Sequence, residues 1–216
     1  MQNDKPGKEI LENAYKLDTP ESNETYYDLV AQSYNDTFAA GLGYSLPNLV
    51  AQKYSQIANE KDVPIADIGC GTGAIGLQLA RPSLNIVGMD ISEAMLGEAK
   101  KTGVYSELVK VDLTIPLNDV HKNRFGAVLS SGTFTHGHLG PDALTRLLGL
   151  ALPAALFVIT INKKHFVEKG FETVIDQLLK NKTITDYHAD EVLIYTEKQH
   201  EHSNDKGLLA CFRTAA

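Results

Sequence analysis

The stretch Ile65-Ala66-Asp67-Ile68-Gly69-Cys70-Gly71-Thr72-Gly73, continuing into Ala74-Ile75-Gly76-Leu77, constrains the fold more than any other part of the chain. A short apolar run reads as a strand, alternate glycines read as a tight turn, and the segment from Ala74 onward reads as a helix. Such a unit belongs to α/β folds, where parallel neighbours are joined by helical crossovers. Glycines at this spacing also let a ligand approach the backbone closely, because no Cβ stands in the way.

The pattern around the loop repeats the unit. Apolar runs of strand length fall at residues 64–68, 85–89, 107–111, 127–130 and 155–161, with helical patterns at 74–80, 92–101 and 142–150. Ser92 is placed to cap its helix, with Ile91 as a hydrophobic staple on Leu96. Strand-like segments at 188–196 and 208–214, joined by the polar stretch 197–207, predict an antiparallel hairpin closing the sheet. The first 60 residues have another character. Tyr26, Leu29, Val30, Tyr34, Thr37 and Phe38 recur at spacings of three and four, one face of a helix. A further helix starts at Ser45, with Pro47 in its first turn, and continues through Leu49, Val50, Tyr54 and Ile57. The expected organisation is a helical lid over residues 1–60 and an α/β domain over 61–216.

Charge and cysteine usage narrow the partners. The 216 residues carry 20 basic and 27 acidic side chains, a net charge of −7, with no Lys/Arg run longer than two. An acidic surface without a basic patch disfavours nucleic acid as a partner. No stretch is apolar for long enough to span a bilayer, so no membrane partner is expected. The two cysteines, Cys70 and Cys211, lie far apart in sequence, and one sits inside the glycine loop. That is the usage of a reducing compartment, and the chain is expected in the cytoplasm.

The loop alone fits two cofactors. Gly71-Thr72-Gly73-Ala74-Ile75-Gly76 satisfies G-x-G-x-x-G, and Asp90 falls about 20 residues on, where a dinucleotide's ribose would be held. Three acids argue otherwise. Asp67 precedes the glycines, Asp90 ends Ile86-Val87-Gly88-Met89-Asp90, and Asp112 ends Val109-Lys110-Val111-Asp112-Leu113. Carboxylates at three successive strand tips suit a cationic nucleoside and would repel a pyrophosphate.

This order of residues resembles class I S-adenosylmethionine (SAM) methyltransferases over about residues 63 to 162. Residues 88–96, Gly103-Val104-Tyr105 and the run 129–138 (LSSGTFTHGH) further resemble the Williams–Beuren-region methyltransferase-like proteins. The resemblance implies a Rossmann-like three-layer sandwich with a seven-stranded, mostly parallel sheet whose last strand is antiparallel. It implies SAM as cofactor and S-adenosylhomocysteine as product. It sets the methionine moiety near Asp67 and Gly69, backbone near Gly71 and Gly73, and the ribose on Asp90. Adenine falls between Ile91, Met95 and the Asp112-Leu113 pair, and Ser130 and Ser131 fall beside the sulfonium. Tyr27 and Tyr34 resemble the aromatic residues of a lid helix in small-molecule members. Cys70 lies among these contacts, though its size suits packing in a crowded loop.

His136 and His138 come after the fourth strand and are the expected proton handlers, since histidine titrates near neutral pH. His200-Glu201-His202 is a poor zinc pattern. The place after the fourth strand holds serines where metal-dependent relatives carry an acid, so no metal is expected. The expected function is methyl transfer from SAM to a small molecule by direct in-line displacement. The rivals are a non-catalytic protein that binds SAM or S-adenosylhomocysteine, and an NAD-binding oxidoreductase.

Overall fold

The computed structural model describes residues 5–81, 84–116, 121–198 and 201–216. Seven strands form one sheet: β1 (Ile65–Ile68), β2 (Ile86–Asp90), β3 (Glu107–Lys110), β4 (Phe125–Phe134), β5 (Ala151–Asn162), β6 (Ile184–Leu193) and β7 (Lys206–Thr214), in the order β3-β2-β1-β4-β5-β7-β6. The first five run parallel, and β7 pairs antiparallel with both β5 and β6. The expected C-terminal hairpin is therefore present, starting somewhat earlier than its apolar run suggested. β1 is buried along its whole length, as befits a strand covered on both faces.

Helices cover the two faces. α5 (Ala74–Leu79), α6 (Glu93–Lys101) and α7 (Pro141–Leu147) are the crossovers expected from the pattern. Ser92 caps α6 by accepting from the Met95 amide at 3.0 Å. Two helices that the apolar periodicity did not announce, α8 (Lys163–Glu168) and α9 (Phe171–Lys180), connect β5 to β6. Asn162 starts α8 by accepting from the amides of Lys164 and His165. Phe171, Ile175 and Leu178 of α9 then join the core on that face beside Phe157 and Phe212.

At the N-terminus, α1 (Lys5–Ala14), α2 (Pro20–Ser33), a π-helical turn over Tyr34–Ala39 and α3 (Ala40–Leu42) form a cap. Thr19 and Ser22 start α2 with a reciprocal capping box. The inward face of α2 differs from the expected one. Tyr26, Val30 and Tyr34 pack inward, whereas Leu29 is 82% exposed. It lies two residues from both Tyr27 and Ala31, hence about 200° round the helix from them. The side chains of Thr37 and Phe38 lie outside what the structure describes.

α4 (Leu46–Ile57) packs against the sheet. Its Val50, Ala51 and Tyr54 share a core with β1, β4 and β5 residues, while its Leu46 packs with Ile10, Leu11 and Leu42 of the cap. Ser45 precedes α4 without capping it, and its hydroxyl donates instead to the Leu193 carbonyl at 2.8 Å. Both cysteines are buried and free. Among the described residues no helix is long and apolar enough to cross a membrane.

Candidate active site

Strand order reverses between β1 and β4, and a crevice opens there beyond the C-terminal strand ends. A cavity of about 320 Å³ occupies it, walled by the loops after β1 to β4 below and by α2 and the π-helical turn above.

The turn after β1 owes its shape to Gly69 (φ +62°), where an added Cβ would stand 2.2 Å from Thr133 Oγ1. Gly71 donates its amide to Asp90 Oδ2 at 2.8 Å, while Asp90 Oδ1 accepts from the Ser92 amide at 2.9 Å. Removal from water pushes the Asp90 carboxyl up, and these backbone donors pull it back. Each Asp90 oxygen keeps lone-pair capacity toward the cavity. Asp112 Oδ1 accepts from the Thr114 amide and hydroxyl at 2.8 and 2.6 Å, leaving Oδ2 for a ligand.

Several expected residues line this cavity: Tyr27, Tyr34, Gly69, Cys70, Gly71 and Asp90, and with them Ile91, Met95, Asp112, Leu113, Ser131 and His138. Cys70 is a buried thiol whose pKa burial raises well above the ordinary value, with Asp67 and Asp90 adding to the rise. A thiol so placed is held in its protonated, less reactive form.

Four residues fall elsewhere. Asp67 is 1% exposed beneath the loop, where its Oδ2 accepts from the Tyr105 hydroxyl at 2.7 Å and its Oδ1 has no partner. Burial pushes its carboxyl up to about 7, Tyr105 pulls it down, and Asp90 adds to the rise. The carboxylate expected to face the ligand thus lies under the turn. Gly73 abuts the ring of Tyr105 rather than the cavity, and Gly76 leaves room for the same ring, which accounts for the dinucleotide-like glycine spacing. Ser130 is buried, its hydroxyl donating to the Ile68 carbonyl at 2.9 Å, a tie between β1 and β4. His136 turns away: its Nε2 lies 3.0 Å from Glu168 Oε2, and its ring meets His165 and Tyr15.

His138 does reach the cavity. Its Nδ1 lies 2.8 Å from the His136 carbonyl and its Nε2 lies 2.9 Å from the Tyr27 hydroxyl. Removal from water holds its pKa below the ordinary value, against the His136 carbonyl and with His165.

The cap is latched to the site by side chains that the motif reading passed over. Asp28 Oδ1 accepts from the Ser92 hydroxyl at 2.6 Å and the Ala94 amide at 3.1 Å, at the start of α6. The Thr72 hydroxyl donates to Asn35 Oδ1 at 2.7 Å. Glu24 pairs with Lys110 at 2.7 Å, and Asn23 donates to the Gly137 carbonyl at 2.7 Å. Tyr44, also missed, stands over Gly132, where a Cβ would meet its hydroxyl at 2.0 Å. Scattered single polar residues on the cap, such as Asn23, Glu24, Asp28 and Asn35, carry no spacing signal; their partners Thr72, Ser92 and Lys110, like Tyr105, lay within the stretch that already resembled a family.

Among the described residues no group of three or more His, Cys, Asp and Glu could hold a metal ion. His202 pairs with Asp205 at 2.9 Å, and His200 lies outside the described residues.

Comparison with known proteins agrees with this geometry. Residues 65–151 match the family described as "Methyltransferase domain". A 41-residue segment, 19% of this chain, is 49% identical to the biotin biosynthesis bifunctional protein BioHC of Saccharophagus degradans, and it spans 7% of that protein's length. Among solved structures, the [4+2]-cyclase SpnF superposes with a TM-score of 0.66 at 13% identity, covering 93% of this chain and 97% of that one. A TehB-like SAM-dependent methyltransferase from Corynebacterium glutamicum superposes with a TM-score of 0.60 at 20% identity, covering 88% and 98%. Residues 65–151 thus match a methyltransferase domain, and the solved structures share the fold of most of the chain. The match is to that broad family, and the narrower Williams–Beuren-region resemblance is not part of it.

Proposed function

We propose that this chain transfers a methyl group from SAM to a small-molecule acceptor, releasing S-adenosylhomocysteine. The observation that carries this reading is the charge of the cavity. Among the described residues that line it, Asp90 and Asp112 are the charged ones, with no Lys or Arg. A dinucleotide would bring its pyrophosphate beside two carboxylates without a cation to offset it. SAM brings a sulfonium and an ammonium instead.

The residues present fit that ligand. Asp90 has acceptor capacity for two ribose hydroxyls, and Asp112 Oδ2 for the adenine amino group. Ile91, Met95 and Leu113 supply apolar flanks for the base, while Ser131 and the loop from Gly69 to Gly71 border the methionine end. Tyr27 and Tyr34 close the site from the cap, which we read as a lid formed by about the first 42 residues. When bound, SAM supplies an electrophilic methyl group that a nucleophile attacks in line. The chain's own contribution is to orient the acceptor and exclude water behind the latched cap. A cavity of about 320 Å³ roofed by such a cap supports a small acceptor over a macromolecular one.

The test is label transfer from methyl-labelled SAM with a pool of low-molecular-mass metabolites as acceptor. Label in a small product above the no-enzyme background supports the reading. Tight SAM binding with no transfer to any pool would favour a non-catalytic binding protein.

A further inference from the structure

A second cavity of about 60 Å³ adjoins the first and shares Tyr27, Tyr34, Tyr44, Gly132 and His138 with it. Tyr15 and Tyr195 add two more aromatic walls, and among its described lining residues there is no Asp, Glu, Lys or Arg. At the junction of the two cavities stands the Tyr27–His138 pair. The His136 carbonyl can only accept, so the 2.8 Å contact fixes the proton of the neutral ring on His138 Nδ1. Nε2 then carries the lone pair, and the Tyr27 hydroxyl donates to it across 2.9 Å. The free lone pairs of the Tyr27 oxygen remain for a hydrogen-bond donor within the cavities.

We propose that this tyrosine-walled recess holds the methyl acceptor, an uncharged molecule bearing an O–H or S–H group, and that Tyr27 and His138 relay its proton. The proposal rests on the methyl-transfer reading above and names the acceptor class for that site.

Size and charge define the class. A water position takes about 10–15 Å³ of such volume, so the recess admits a reacting end of roughly four to six non-hydrogen atoms. A carboxylate or ammonium would enter it with no opposite charge, a desolvation cost of several kcal/mol. A neutral phenol-like or thiol-like group pays no such cost, but its nucleophile is weak until the proton is withdrawn.

The relay supplies that withdrawal. The acceptor proton passes to the Tyr27 oxygen as the Tyr27 proton passes to His138 Nε2. The electron pair left on the acceptor atom forms the new bond to the methyl carbon, and the pair of the broken S–CH₃ bond stays on sulfur. One positive charge leaves sulfur and one arrives on the imidazole, so the net charge inside the site is unchanged. Tyr27 serves as a neutral relay and not as a phenolate, since burial pushes its pKa up. The groups that face His138 are Tyr27 of α2, His165 of α8 and His136 of its own loop. None is a carboxylate, so the ring is neutral at physiological pH and ready to accept.

The test uses the full chain in three measurements. Calorimetry without cofactor compares phenol and ethanethiol with butyrate and butylammonium; the neutral probes bind and the charged ones do not. With SAM added, turnover of the bound neutral probe falls on the acid side, with a midpoint below the ordinary histidine value of about 6.5. In Tyr27→Phe, kcat falls by about 10²-fold, a typical loss for general base catalysis, and the acid limb disappears. Nitrogen-15 NMR of the wild type shows His138 in the Nδ1–H form, independent of any turnover. Binding of only the charged probes, binding of no probe, or a Tyr27→Phe variant with unchanged kcat and acid limb overturns the proposal. SAM binding, measured separately, keeps such a failure distinct from a failure of the methyl-transfer reading.

Discussion

Asp67→Asn separates the structural role of this carboxyl from the ligand-facing role expected from the motif. Burial, opposed by the Tyr105 hydrogen bond and reinforced by Asp90, raises the Asp67 carboxyl from 3.8 to about 7. Between those values the native chain holds a proton that the unfolded chain has lost, so stability falls as pH rises across the window. The difference of about 3 units corresponds to about 4 kcal/mol. Asparagine is neutral at every pH and keeps an oxygen for the Tyr105 hydroxyl, and its amide leaves two N–H donors unpaired where the protonated acid leaves one O–H, a pH-independent difference that cancels in the comparison. The variant therefore mimics the low-pH form. In urea unfolding at pH 4 and pH 8, the stability of Asp67→Asn relative to wild type should increase by at least about 2 kcal/mol toward pH 8, within the linkage limit of about 4 kcal/mol. A relative stability that stays flat across this range refutes the reasoning, because it would mean that the native carboxyl ionises near its unfolded value.

Three further outcomes test other parts of the site. Asp90→Ala removes the acceptor proposed for two ribose hydroxyls, and calorimetric SAM affinity should fall at least about tenfold, one decade being about 1.4 kcal/mol. Gly69→Ala places a Cβ 2.2 Å from Thr133 Oγ1 at a φ of +62°, and chemical denaturation should register a loss of more than about 2 kcal/mol, partly restored by adding Thr133→Ala. Asp28→Ala unlatches the cap from the start of α6, and limited proteolysis within α1 and α2 should quicken several-fold, as expected for a loss of about 1 kcal/mol.

The sheet and its crossovers were legible because a buried parallel strand and an amphipathic helix each leave a period in the sequence, and the glycines at 69, 71 and 73 mark where the two meet. The same physics accounts for the placements that pattern did not show. An acid before a glycine loop looks ligand-facing until the partner beneath it is known, and nothing in the spacing of Asp67 and Tyr105 announces their hydrogen bond. His136 and His138 are two residues apart on one loop, so pattern treats them alike. A left-handed turn at Gly137 and the contact with Glu168 send one outward and one toward Tyr27. The second cavity arises where α1, α2, β4, β5 and the segment after β6 converge, a juxtaposition that no local window contains.

The most direct test of the central claim is calorimetric titration of the purified chain with SAM and S-adenosylhomocysteine, with NAD(H) as control. The account predicts micromolar or tighter binding of both sulfur ligands and none of NAD(H). Silence with SAM and heat with NAD(H) would contradict it and assign the crevice to a dinucleotide.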